Sequence, residues 1–179
     1  MTQIVAAQYE GLQKRGVVLV GHGGVPNDYP REFVTKLKSL EAVRRATGGP
    51  PTTEELALDR KLRQWPRRAA TDPYQAGLEA LADHLREFVG DNLFALAYNE
   101  FCAPTVEEAI ATLIGSGATT ITIVPSMFTP GGSHAEQDIP DTLERLRQTY
   151  PGIELRYAWP FDLTQVAAML AAHVQRFQS

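Results

Sequence analysis

Thr119-Thr120-Ile121-Thr122-Ile123-Val124 (TTITIV, 119–124) is the strongest strand signal in the chain. It is rich in β-branched residues, which pack well on a pleated surface and crowd a helical turn. A Gly/Pro-bearing loop, Pro125 to His134, leaves it, and a helical pattern over Ile139–Tyr150 follows. A strand over Ile153–Ala158 and a helix over Leu163–Phe177 come next. That helix places Val166, Met169, Leu170, His173, Val174 and Phe177 on roughly one face. Upstream lies a helix over Val106–Ile114. Thr105 before it and Glu108 three residues on form a capping box. Leu93–Tyr98 and Val17–Val20 read as two further strands. Tyr74–Val89 carries Leu78, Leu81, Leu85 and Phe88 at helical spacing. Strands alternating with helices predict an α/β fold: a three-layer sandwich on a central, mainly parallel four-stranded sheet.

The first crossover is too long for one helix. About seventy residues separate the first two strands, where a dozen or so would do. The extra part, Leu40 to Thr71, contains TGGPPTTEE and RQWPRR, and reads as helix, turn, helix, turn inserted into a single domain spanning residues 1–179. Residues 31 to 70 hold ten Lys/Arg against five acids, in a chain whose net charge is −4. This segment is either a solvated helical surface or a collar for a polyanion, with Arg44, Arg45, Arg67 and Arg68 as its candidates.

Bulk properties bound the function. With 44% hydrophobic and 21% charged residues, the chain has the profile of a soluble globular protein. Its mild negative charge does not suggest a nucleic-acid partner. No apolar run approaches a membrane span, and Met1 to Lys14 lacks a cleavage signal. Cys102 is the sole cysteine, which excludes an internal disulfide and a thiolate metal cluster. A cytoplasmic protein is expected.

In parallel sheets, ligands gather at the carboxyl ends of the strands. His22 lies at the end of the first strand, Asn99 and Glu100 at the end of the second, and Pro125 to His134 at the end of the third. His22 and His134 both sit in glycine-flanked loops, GHGG and GGSH, where the backbone can approach a bulky ligand. Taken alone, His22 could be a metal ligand, part of an oxyanion loop, or a turn residue. Glu100 could be a helix-terminal charge, a base or a third ligand. Two His and one carboxylate make a hard-to-borderline site for a first-row divalent metal. His84 reads as a surface residue and His173 as one at a core margin.

Several other motifs fail on inspection. HGG after a strand suggests an esterase oxyanion loop, but no G-x-S-x-G elbow is present. Pro26 occupies the third glycine's place in a would-be G-x-G-x-x-G. His134-Ala135-Glu136 with His173 mimics a non-haem iron triad, which belongs to antiparallel barrels. A zinc deaminase would need P-C-x-x-C.

VVLVGHGG, NEFCAPTVEEAI, ITIVPSMFTPGGSHAEQDIP and ELRYAWPFDLTQVAAML together resemble the class II tetrapyrrole chelatases, the sirohydrochlorin cobalto- and ferrochelatases. The resemblance runs in order over residues 16 to 30 and about 75 to 177. The family pattern is G-H-G-S after a strand, a Glu four residues before Pro, then P-x-F-x-x-x-G-x-H and D-I-P. Here these are Gly21-His22-Gly23, Glu100 before Pro104, Pro125 through Phe128 to His134 with two residues rather than one between Pro125 and Phe128, and Asp138-Ile139-Pro140. Gly24 stands where the family has Ser, Pro130 and Ser133 alter the second loop, and the shortest members lack the insertion.

The resemblance implies a lyase that inserts Co²⁺, Fe²⁺ or Ni²⁺ into a carboxylate-rich tetrapyrrole, the metal being substrate and no cofactor being permanently bound. It implies His22, Glu100 and His134 as metal ligands and catalytic residues. Substrate contacts would come from Gly23, Gly24, Pro125, Phe128, Gly131 and Gly132. It implies a homodimer, since longer members carry two lobes where this chain has one. The alternatives are a non-catalytic metal or tetrapyrrole carrier, and a chelatase for a porphyrin-type ring.

Overall fold

The computed structural model describes residues 14–178. The reading of residues 1–13 as free of a leader lies outside the described residues. Four strands, β1 (Lys14–Gly21), β2 (Leu93–Tyr98), β3 (Ala118–Pro125) and β4 (Glu154–Tyr157), form one sheet in the order β2-β1-β3-β4. Every pairing is parallel. None of the described helices is long and apolar enough to cross a membrane.

Strand alternation sorts the core into two faces. Val18, Val20, Ile121, Ile123 and Leu155 point to one side. There they meet helices α4 (Val106–Gly115) and α5 (Ile139–Thr149) through Ile110, Leu113, Ile139 and Leu143. Leu19 and Tyr98 point to the other side and meet α3 (Pro73–Val89) through Leu78 and Ala82. Sequence signals start these helices. Thr105 and Glu108 cap α4 reciprocally, and Asp72 accepts from Gln75 N–H ahead of Pro73 at the start of α3.

The excursion between β1 and α3 begins earlier than its composition suggests. Helix α1 runs Arg31–Thr47, ends on Gly48 at φ 72°, and is followed by α2 (Thr53–Arg63), capped by Thr52. The pair has its own small core, in which Tyr29, Leu37 and Leu62 pack on Phe101.

The last helix, α6 (Leu163–Gln175), differs from expectation. It buries none of its residues. Leu163, Met169, Leu170, Val174 and Phe177 are all exposed. His173, read as lying at a core margin, is exposed too, its ring centroid 5.1 Å from that of Phe177. Helical periodicity identifies an apolar face but not what that face meets.

Candidate metal centre

Because β1 lies between β2 and β3, the chain leaves it toward one side and returns on the other. The carboxyl ends of such a sheet open a crevice at that reversal. His22 follows β1, Glu100 lies just beyond β2, and His134 comes off the loop after β3. One ligand atom from each lies within 4.8 Å of the other two. All three side chains are partly buried. His134 Nε2 is 4.0 Å from Glu100 Oε1, and the two imidazoles meet edge to face with centroids 4.6 Å apart.

Each imidazole has one nitrogen already engaged. His22 Nδ1–H donates to Gly23 O at 2.8 Å. His134 Nδ1–H donates to the Asp138 carboxylate at 2.6 Å. Asn99 Nδ2 lies 2.8 Å from the same Nδ1 and also donates to that carboxylate, at 3.4 Å. A protonated Nδ1 leaves Nε2 as the lone-pair donor, and a carboxylate behind the ring fixes its tautomer and orientation. The site therefore presents two neutral nitrogens and one carboxylate oxygen. That donor set fits Fe²⁺, Co²⁺ or Ni²⁺ and holds them less permanently than thiolates would.

Local structure explains how the donors are held. Residues His134–Asp138 form a π-helical turn, so His134 and Asp138, four apart, face one another. Tyr157 of β4 donates to Ala135 O at 2.7 Å and ties this turn to the sheet edge. The loops after β1 and β2 continue to pair beyond the strands: Asn99 N–H donates to Gly21 O at 2.9 Å, and Glu100 N–H to His22 O at 2.8 Å. Gly23 (φ +96°) closes that seam, and a Cβ there would sit 1.8 Å from Glu100 O. His22 N–H donates to the Tyr74 hydroxyl at 2.8 Å.

The remaining expected contacts divide. Gly23 is buried, and it is held as glycine by the Glu100 backbone on which it presses. Pro125 is fully buried. Phe128 is partly buried and packs edge-on against Phe161 at 6.4 Å. Gly131 and Gly132 are exposed, with Gly131 N–H donating to Glu136. A Cβ on Gly24 would meet Asp72 and Tyr74 at an ordinary 3.5 Å. Gly24→Ser is therefore expected to change stability by less than about 0.5 kcal/mol, read from the denaturation midpoint. His84 is exposed, as expected.

Cys102 is buried, and burial pushes its thiol up to about 11, so it contributes no thiolate. It is expected to resist thiol reagents at pH 8 until the protein unfolds. Rapid labelling of native protein would contradict that burial.

The basic collar is also redrawn. Arg67 is buried against Asp72, and Arg44 pairs with Glu55 at 2.7 Å. Arg45 and Arg68 remain exposed. A cleft of about 630 Å³ runs from Glu100 between the α1–α2 pair and α4–α5. Its walls carry both signs, Arg45, Arg60 and Arg145 facing Glu41, Glu107 and Asp141. Burial, with the charge of Glu100 beside it, holds the Glu41 carboxyl above its usual range.

The fold and this geometry define an α/β protein with a two-histidine, one-carboxylate centre at the sheet rim. Residues 69–178, well over half the chain, match the sequence model of the CbiX family, and the chain belongs to that family. Glu100 and His134 lie inside the matched region; His22 precedes it. The sirohydrochlorin ferrochelatase of Priestia megaterium is 33% identical over 70 residues, 39% of this chain and 26% of that protein. The sirohydrochlorin cobaltochelatase of Sulfurisphaera tokodaii is 30% identical over 95 residues, 52% of this chain and 73% of that protein. The chain thus spans about a quarter of the first relative's length and most of the second's. Among solved structures, the CbiX protein of Marinobacter aquaeolei, assigned to cobalamin biosynthesis, superposes with a TM-score of 0.54. The match is at 18% identity and covers 92% of this chain and 98% of that one. The cobalt complex of the Bacillus subtilis sirohydrochlorin chelatase SirB gives 0.52 at 20% identity, over 82% and 43%. At these identities the structural likeness speaks for the fold.

Proposed function

We propose that this protein is a chelatase, a lyase that inserts Co²⁺ or Fe²⁺, with Ni²⁺ also compatible, into sirohydrochlorin in the cytoplasm. It acts as one chelatase-like domain in which α1 and α2 are an insertion. The observation that carries this reading is the convergence of His22, Glu100 and His134 from three strand ends, with both imidazoles oriented through Nδ1. The names of the relatives, ferrochelatase and cobaltochelatase, supply the substrate class.

Insertion of a divalent metal into a free-base tetrapyrrole replaces two pyrrole N–H protons. The chain must therefore hold the ion in reach of the ring, release it, and accept protons. His22 and His134 donate Nε2 lone pairs to the ion, and Glu100 adds an oxygen. As the ion moves to the ring nitrogens, the freed Glu100 carboxylate accepts one of the two protons and a freed imidazole Nε2 the other, and both then pass to solvent. Asp138 keeps His134 in the tautomer that can bind.

Anaerobic absorbance spectra of sirohydrochlorin with each metal and catalytic amounts of protein test the reading. Metallation over many turnovers supports it. Stoichiometric binding without turnover would mark a carrier, and turnover only with a porphyrin-type ring would reassign the substrate. Glu100→Gln is expected to lower the turnover number at least tenfold while changing the Michaelis constant for sirohydrochlorin little, since an amide keeps the shape but accepts no proton. An unchanged turnover number would leave Glu100 only a ligand.

A homodimer completes the proposal. Helix α3 exposes Tyr74, Leu81 and Phe88, seven residues apart, and α6 exposes a matching apolar stripe. A 13-residue helix gains little stability alone in water. Seating the α6 of a second copy along α3 would cover both stripes. The groove it would fill is lined by His22, Tyr74, Leu78, Leu81 and Met127, so the partner's helix would border the metal centre. Light scattering is expected to give a dimer, and Leu170→Asp with Phe177→Asp a monomer. A monomeric wild type would contradict this arrangement.

A further inference from the structure

Two arginines at the end of the helical excursion reach the loops that carry the metal donors. Arg67 Nη1 donates to Gly24 O at 2.8 Å and to the Asp72 carboxylate. Its Nη2 donates to Phe101 O and, at 3.3 Å, to Leu62 O. One guanidinium thus joins the His22 loop, the Glu100 loop, the end of α2 and the start of α3. Arg63 donates from Nη1 to Cys102 O at 3.0 Å and from Nη2 to Asn99 O at 3.5 Å, while Asp59 holds its Nε at 2.8 Å. Between them the two side chains take three carbonyls of the segment Asn99–Cys102, which brackets Glu100, and one carbonyl two residues from His22. The side chain of Arg67 is only 5% exposed and that of Arg63 19%. Both residues precede the stretch that matches the family's sequence model, residues 69–178.

That segment needs outside support. Phe101 sits at φ 58° without being glycine, a conformation that persists only when its surroundings impose it. A guanidinium suits the task because its planar fork of five donors can satisfy several carbonyl groups at fixed angles, whereas an ammonium is a point charge on a flexible stem. Strand ladders set the loops only as far as Glu100 N–H and Ser126 N–H. Beyond them, the arginines are what joins the β1 and β2 loops from the side of the insertion.

We propose that Arg67 and Arg63 are positioning residues, a clamp through which the helical insertion fixes the separation of His22 and Glu100 and so sets the affinity of the metal centre. The proposal rests on the reading of His22, Glu100 and His134 as a metal site. It gives the insertion a purpose other than collecting a polyanion, since the clamp touches backbone and not substrate.

The test is binding of Co²⁺ alone, followed by calorimetry and by its visible absorption, in the full chain. Arg67→Lys keeps a cation beside Asp72 but cannot span the carbonyls, and Arg63→Gln removes the second bridge from a partly exposed position. In variants with unchanged circular dichroism, Co²⁺ binding is expected to weaken roughly tenfold to a hundredfold, the range seen when the outer support of metal ligands is lost. The Co²⁺ absorption should change with it, as the Glu100 oxygen leaves its place, which a loss of stability alone would not produce. If Arg67→Lys fails to fold, Arg63→Gln decides. Wild-type affinity and spectrum in a folded variant would overturn the clamp and leave the metal centre standing. Failure of the wild type itself to bind Co²⁺ would overturn the metal centre, and the clamp with it.

Discussion

His22→Ala and His134→Ala are each expected to bring catalysed metal insertion down to the uncatalysed background while shifting folding stability by no more than about 1 kcal/mol. Among the described residues the proposed centre has three donors, His22, Glu100 and His134. Removing either imidazole leaves one nitrogen and one carboxylate, too few to hold an ion in competition with water and buffer. Neither side chain belongs to the hydrophobic clusters, so the fold has little to lose. His134→Ala also strips Asp138 of its imidazole partner, which leaves a carboxylate still bonded by Asn99. The control is His84→Ala, on the exposed face of α3, which should behave as wild type. Initial rates of sirohydrochlorin metallation with Co²⁺ read all three variants. A wild-type rate in either rim variant would remove that histidine from the site.

Gly23→Ala should have the largest effect on structure. The backbone at φ +96° is open to glycine and strained for any L side chain, and the added methyl would meet Glu100 O at 1.8 Å. The obstacle is main chain that cannot swing away. The loops after β1 and β2 must part, which breaks the bond from Glu100 N–H to His22 O and moves two of the three donors. A loss of about 3 kcal/mol or more is expected, at the severe end for one methyl. The midpoint in urea and the affinity for Co²⁺ should fall together. Gly24→Ser, one residue on and free of that clash, separates this cause from a general intolerance of the loop. A Gly23→Ala protein with wild-type midpoint and affinity would show that the seam gives way cheaply.

What could be read from the chain follows the range of the forces involved. TTITIV and LFALAY declare themselves as strands because β-branching and apolar runs are local properties, and their order alone brings His22, Glu100 and His134 to one rim. Asp138 is half legible: it opens Asp138-Ile139-Pro140, and its spacing of four from His134 is visible, but its role depends on a π-helical turn that no period announces. Arg63 and Arg67 were not legible as supports. Their partners lie 34 to 43 residues away along the chain, at main-chain carbonyls that carry no residue signature. In composition they looked like surface charge. The destination of α6 was hidden for a different reason. Its stripe of Met169, Leu170 and Val174 reads the same whether it covers its own sheet or another molecule.

The most direct test of the metal centre is an anomalous difference map at the cobalt edge from crystals grown with Co²⁺. The account predicts one strong peak at bonding distance, about 2.0 to 2.3 Å, from Nε2 of His22, Nε2 of His134 and a carboxylate oxygen of Glu100. A peak at other side chains, or one that persists at this position in His22→Ala crystals, would contradict it.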